Sequence, residues 1–142
     1  MSSNLAILVA LQAALALTTI AQGSSSQLMD ARQVVARTNA EWQALWREHS
    51  PAPAPAVDID FGESMVIGVF LGLRRTAGYS VTITSATRRG NSIVVEYVER
   101  EPDGGQATAQ VLTSPFHLAV IPRTTNAVEF RKVESAPQPT RP

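Results

Sequence analysis

Apolar positions along the chain fall into an uncharged opening run, one helical stripe and a series of strand-length stretches. The opening run, Leu5 to Leu17, reads LAILVALQAALAL, and Asp30 is the first charged side chain. Small and increasingly polar residues, Thr18 to Ser26, follow it. An apolar centre of ~7–15 residues followed by small residues is the layout of a secretory signal. Residues 1–23 therefore read as a signal peptide, with cleavage after Ala21 or Gly23 both fitting and a retained membrane anchor as the minor alternative. The stretch Leu5–Ala21 is shorter than the ~20 residues a helix needs to cross a bilayer, so no stable membrane insertion is expected after cleavage. Export to the periplasm or the medium is the expected location, with residues 24–31 a flexible lead-in.

Arg32 to Arg37 (RQVVAR) reads as a short extended stretch. Thr38 and Glu41 then have the spacing of a capping box, in which each side chain satisfies a free backbone amide at a helix start. Trp42, Leu45, Trp46 and His49 recur at i, i+3, i+4 and i+7, one face of an amphipathic helix. The helix must end before Pro51, because a residue preceding proline avoids the helical region. Both tryptophans on one stripe predict that this helix packs on a sheet. Residues 51–56 (PAPAPA) read as a stiff extended crossing over the outside of one domain.

Sheet follows. Ser64 to Leu73 (SMVIGVFLGL) is almost wholly apolar, the signature of a central strand covered on both faces. Gly68 and Gly72 within it suggest a close backbone approach or a bend. Tyr79–Thr84, Ile93–Tyr97, Ala107–Leu112, Phe116–Ile121 and Ala127–Val133 complete the set, separated by turn residues. The pattern predicts a mainly β fold: an antiparallel sandwich or curled sheet of about 6–7 strands with one N-terminal amphipathic helix packed on it. The domain spans residues 32–134, and 135–142, rich in proline, reads as a disordered tail.

Composition narrows the chemistry. Lys and Arg total 12, as do Asp and Glu, giving zero net charge and no electrostatic pull toward nucleic acid. There is no cysteine, which excludes thiol catalysis, thiolate metal sites and disulfides. Two histidines, His49 and His117, are too few for an ordinary zinc site. His117 lies inside an apolar run and reads as a strand histidine bonded to backbone. His49 reads as a cap on the helix C-terminus. No G-x-S-x-G elbow is present, and no catalytic, cofactor-binding or metal-binding residue is assigned. Asp58 and Asp60 make the best carboxylate cluster. Set against a calcium-binding EF-hand loop they fail at the third ligand, the glycine and the last ligand, leaving turn residues with weak calcium binding as the minor reading.

The order of signals resembles a known family. Val57–Phe61 leads into Met65–Gly72, then Thr76-Ala77-Gly78-Tyr79-Ser80-Val81, Val94–Tyr97, the Glu101-Pro102 turn and Leu112-Thr113-Ser114-Pro115-Phe116-His117. This succession, over roughly Arg32 to Val133, resembles the PrcB C-terminal-like domain, named for a non-catalytic subunit of a secreted bacterial protease complex. The resemblance implies a non-catalytic, exported protein-interaction domain, an accessory subunit of a secreted or envelope peptidase complex. Its partner would be another protein, with no cofactor and no nucleic acid. The alternative is a small β-domain peptidase inhibitor, since Thr76–Tyr79 is loosely similar to the Thr-Gly-Tyr/Phe loop of chagasin-type inhibitors. Loops held on a rigid sheet commonly carry recognition, so the candidate contact residues are Arg74, Arg75, Thr76, Gly78, Tyr79, Ser114, Phe116 and His117.

Overall fold

The computed structural model describes residues 12–50, 55–104 and 108–134. Eight strands form in chain order: β1 (Gln12–Ala14), β2 (Thr18–Gly23), β3 (Arg32–Ala36), β4 (Ser64–Phe70), β5 (Ser80–Arg89), β6 (Ser92–Arg100), β7 (Phe116–Pro122) and β8 (Ala127–Val133). Helix α1 (Asn39–His49) lies between β3 and β4. One sheet has the order β1-β5-β6-β8 and the other β2-β7-β4-β3. Among the described residues the fold is a β-sandwich carrying one helix, with eight strands where about six or seven were expected. All pairs are antiparallel except β6 and β8, which are parallel because the chain visits β7 in the other sheet between them.

The apolar run of β4 is explained by three layers. Met65, Ile67 and Val69 face the first sheet, where they meet Val81, Ile83, Ile93 and Val95. Val66 and Phe70 face the helix side, where they meet Trp42, Leu45 and Leu118. A Cβ on Gly68 would approach Leu118 and Val34 within 3 Å, so this face of β4 has no room for a larger residue. Gly72 has φ +79°, and a Cβ there would lie 2.7 Å from the backbone nitrogen of Ala31. Both the left-handed conformation and the contact require glycine.

The capping box forms in part, its return bond reaching the residue before the N-cap Thr38. The Glu41 amide donates to Thr38 Oγ1 at 3.2 Å, and Glu41 Oε1 accepts from the Arg37 amide at 3.3 Å. Trp42 is fully buried, its indole N–H donating to the Val57 carbonyl at 2.8 Å. Trp46 is only half-buried, and tilts against Trp42 with ring centroids 5.4 Å apart.

One strand expectation needs correcting, and two stretches expected to lie outside the domain pair with it. Residues 12–23, inside the expected leader, form β1 and β2, one at the edge of each sheet. Gln12 pairs with Arg89 of β5 and Gly23 with Phe116 of β7. Leu15 and Leu17 pack on the core between the sheets, and Ile20 and Ala21 on the helix-side core. Residues 24–31 are not a free lead-in: Ser114 N–H donates to Ser24 O, and Leu73 N–H to Met29 O. Ala107–Leu112 is not a strand where it is described. Its backbone turns to meet Ala77, and Val111 and Leu112 face solvent. The crossing expected at 51–56 falls outside the described residues as far as 54, as do residues 1–11 of the expected leader and the tail from 135.

Candidate functional site

Three irregular stretches meet at one end of the sandwich. Arg74 and Thr113 exchange both backbone hydrogen bonds, at 2.7 and 2.9 Å. Ser26 N–H donates to Ser114 O at 3.1 Å, and Leu73 N–H to Met29 O at 3.0 Å. The loop after β4 is drawn back onto the body of the domain. Thr76 O accepts from Thr113 Oγ1, and the Arg74 guanidinium lies 5.4 Å from the centre of the Tyr79 ring. Gly78 has φ +100°, and a Cβ there would strike Pro102 at 2.8 Å.

Arg74 also donates to the Leu71 carbonyl at 2.9 Å and pairs with Glu99 at 3.1 Å. Lys132 reaches the other carboxylate oxygen of Glu99 at 3.2 Å. Desolvation pushes the Glu99 carboxyl up, but the hydrogen bonds and charges of Arg74 and Lys132 outweigh it and hold it below its ordinary value.

The candidate contact residues divide. Arg75 and Gly78 are exposed, and Arg74, Thr76 and Tyr79 are half-buried. Ser114, Phe116 and His117 are buried, and of these Ser114 lines the cleft at this end. Strand β7 is central in its sheet and covered on both faces, so Phe116 turns to the helix side and His117 into the space between the sheets. Ser114 Oγ donates to the Leu28 carbonyl at 2.5 Å.

Both histidines are interior. Nδ1 of His117 accepts from the Ile83 amide at 2.7 Å, so the ring proton sits on Nε2, 2.8 Å from Thr19 Oγ1. His49, expected to cap its helix, instead packs against Phe116 with ring centroids 4.3 Å apart. Its Nδ1 shares a hydrogen bond with Ser26 Oγ at 2.9 Å. Burial lowers the pKa of each ring. A Ser–His contact invites a catalytic reading. Ser26, however, is only 3 % exposed and its hydroxyl also accepts from the Leu28 amide, so a substrate carbonyl has no approach to it. Asp60 Oδ1 accepts from the Gly62 amide and its carbonyl from those of Glu63 and Ser64, the turn expected of it. Among the described residues no cluster of metal-ligating side chains forms.

One feature of this end escapes a reading of the sequence. Met29, Leu73 and Leu112, exposed by 51, 42 and 71 %, line a cleft of about 280 Å³ with Ser24, Ser26 and Ser114. Val111, 50 % exposed, precedes Leu112 in the chain. The hydrophobic pair Val111-Leu112 was the available signal, but it reads equally well as half of a strand.

The strands framing this end carry a family signature. Residues 65–122 match the PrcB C-terminal family. The PrcB C-terminal match runs from Met65 in β4 to Pro122 in β7, taking in the β5–β6 hairpin, the Arg74–Tyr79 loop and the Ser114–His117 turn. Strands β1–β3, helix α1 and β8 lie outside it. Searches of the curated proteins and of the solved structures each returned no match.

Proposed function

We propose that this domain is a non-catalytic, exported binding module that works as an accessory subunit of a peptidase. The PrcB C-terminal match over residues 65–122 carries the reading, being consistent with a domain associated with a protease complex. The geometry fits it. The serine and histidines that could have formed a nucleophilic site are committed to internal hydrogen bonds, while one end of the sandwich offers loops on a rigid base. The test is affinity capture and crosslinking of the tagged chain from native envelope and secreted fractions. Near-equal recovery of one peptidase, whose casein hydrolysis changes when the chain is removed, supports the accessory role. Slowing of papain-like peptidases by the isolated chain would move the function to inhibition. Absence of peptidase activity from every eluate would overturn the reading.

A further inference from the structure

Scattered exposed apolar side chains are ordinary on a protein surface. Here five large ones are exposed among the described residues, and Met29, Leu73, Val111 and Leu112 collect at one end of the sandwich. They come from three separate stretches of chain that the backbone bonds at Met29–Leu73 and Arg74–Thr113 hold side by side. An apolar grouping rimmed by polar groups is the form that interaction sites take. The cleft of about 280 Å³ lies at the lower limit of small-molecule sites, roughly 300–1,000 Å³. It suits an inserted side chain better than a free ligand.

Charge selects the partner. The antiparallel bridge between Arg74 and Thr113 places Arg75 across from Leu112. Arg75 is exposed and makes no hydrogen bond or ion pair among the described residues, whereas its neighbour Arg74 is fully engaged with Glu99 and the Leu71 carbonyl. Asp30, also exposed, follows Met29 in the chain. The apolar strip therefore has a cation, Arg75, beside Leu112.

We propose that this cleft docks an extended segment of a partner protein in which one large apolar side chain is followed closely by Asp or Glu. The apolar side chain enters between Met29, Leu73 and Leu112, and the carboxylate pairs with Arg75. The proposal rests on the reading of the domain as a binding module and names the surface that binds.

Two pools of seven-residue peptides test it, each with a central Leu or Phe, followed by Asp or Glu in one pool and by Lys in the other. Binding is read from amide chemical shifts of the whole chain and of its Leu112→Ser and Arg75→Glu variants, each first shown to melt like the parent. The expected result is preference for the acidic pool and a loss of roughly tenfold or more in Leu112→Ser, about 1.4 kcal/mol. Arg75→Glu should reverse the preference toward the lysine pool, which a merely structural residue would not do. Equal binding of the two pools, no binding, or unchanged affinity in both variants would overturn the proposal. A concentration-dependent dimer abolished by Leu112→Ser would overturn it too, by making a second copy the occupant. If peptidase capture fails while the charge reversal holds, the surface stands without the peptidase. If capture succeeds undiminished in both variants, the association stands and this surface falls.

Discussion

The Ile83 amide donates to Nδ1 of His117 at 2.7 Å, and the bond joins one sheet to the other. Strand β5 needs it. Strand β1 pairs only with Thr87–Arg89, leaving the first half of that edge without a ladder partner. The open edge is satisfied piecemeal: Leu15 N–H donates to Ala86 O, His117 accepts from Ile83, and Gln22 Nε2 donates to Val81 O. An unpaired buried amide is costly, about 1–3 kcal/mol, so the histidine must stay neutral with Nδ1 free to accept.

That requirement sets a pH dependence. Burial holds both His117 and His49 below their ordinary value of 6.5, so below pH 6.5 the unfolded chain binds more protons than the folded one. Stability is then fully present above pH 6.5 and falls as the pH drops, by at most about 1.4 kcal/mol per unit for each ring. Urea unfolding at pH 7.5, 6.5 and 5.5 should show the decline, and His117→Gln should remove about half of the slope. A flat profile, or the same slope in the variant, would contradict the interior role of the ring. Loss through Glu99 belongs to a lower window, below its ordinary value of 4.5.

Strands β1 and β2 give a second prediction. A chain beginning at Ser24 lacks the partners of Thr87–Arg89 and of the β7 edge, and also the half-buried Leu15, Leu17 and Ile20. Half-burial of three aliphatic side chains is worth roughly 3 kcal/mol, a large share of a stability of about 5–15 kcal/mol. Urea denaturation of chains beginning at Gln12 and at Ser24 measures it. Equal midpoints would restore a domain that starts after Gly23.

The same residues show where sequence reading stops. An export leader and a pair of short half-buried strands both draw on Leu, Ala, Ile and Thr. An uncharged run carries no periodicity strong enough to separate them. Helix α1 was legible because its capping box and tryptophan stripe are local. Strand β4 was legible because only burial on two faces explains so unbroken an apolar run. His117 was legible as a strand histidine bonded to backbone, but the burial of Ser114 and Phe116 was not. Proline and serine before Phe116 look like a loop, and only the long-range placement of β7 between β2 and β4 shows that both faces of the strand are covered. The parallel pairing of β8 with β6 is likewise set by which sheet the intervening strand joins, and no local pattern encodes it.

The two tryptophans, alike in spacing, should differ in effect. Trp42 is fully buried and bonded to the Val57 carbonyl, whereas Trp46 is half-buried. Trp42→Ala should cost about 3–5 kcal/mol, the range for a large aromatic removed from a core. Trp46→Ala should cost roughly half of that or less, since part of its ring already faces solvent. Thermal melts of the two variants decide the matter, and equal losses would place Trp46 in the core after all.

Arg74 and Arg75 look interchangeable in the sequence, yet the structure gives them opposite duties. Arg74 bonds the Leu71 carbonyl and a Glu99 side chain that is only 14 % exposed. Removing it leaves that carboxylate with Lys132, which is itself 57 % exposed and tethered by a flexible stem. Hydrogen bonds to charged groups of this kind, discounted for partial exposure, make Arg74→Ala about 1–2 kcal/mol destabilising. Arg75→Ala should stay within about 0.5 kcal/mol of the parent, as surface changes without partners do. A double-mutant cycle separates charge loss from packing. With Glu99→Gln already present, the cost of Arg74→Ala should shrink while that of Arg75→Ala stays unchanged. If Arg75→Ala proves the more damaging of the two, the division of labour between the neighbouring arginines is wrong, and Arg75 is not the free cation at the rim of the cleft.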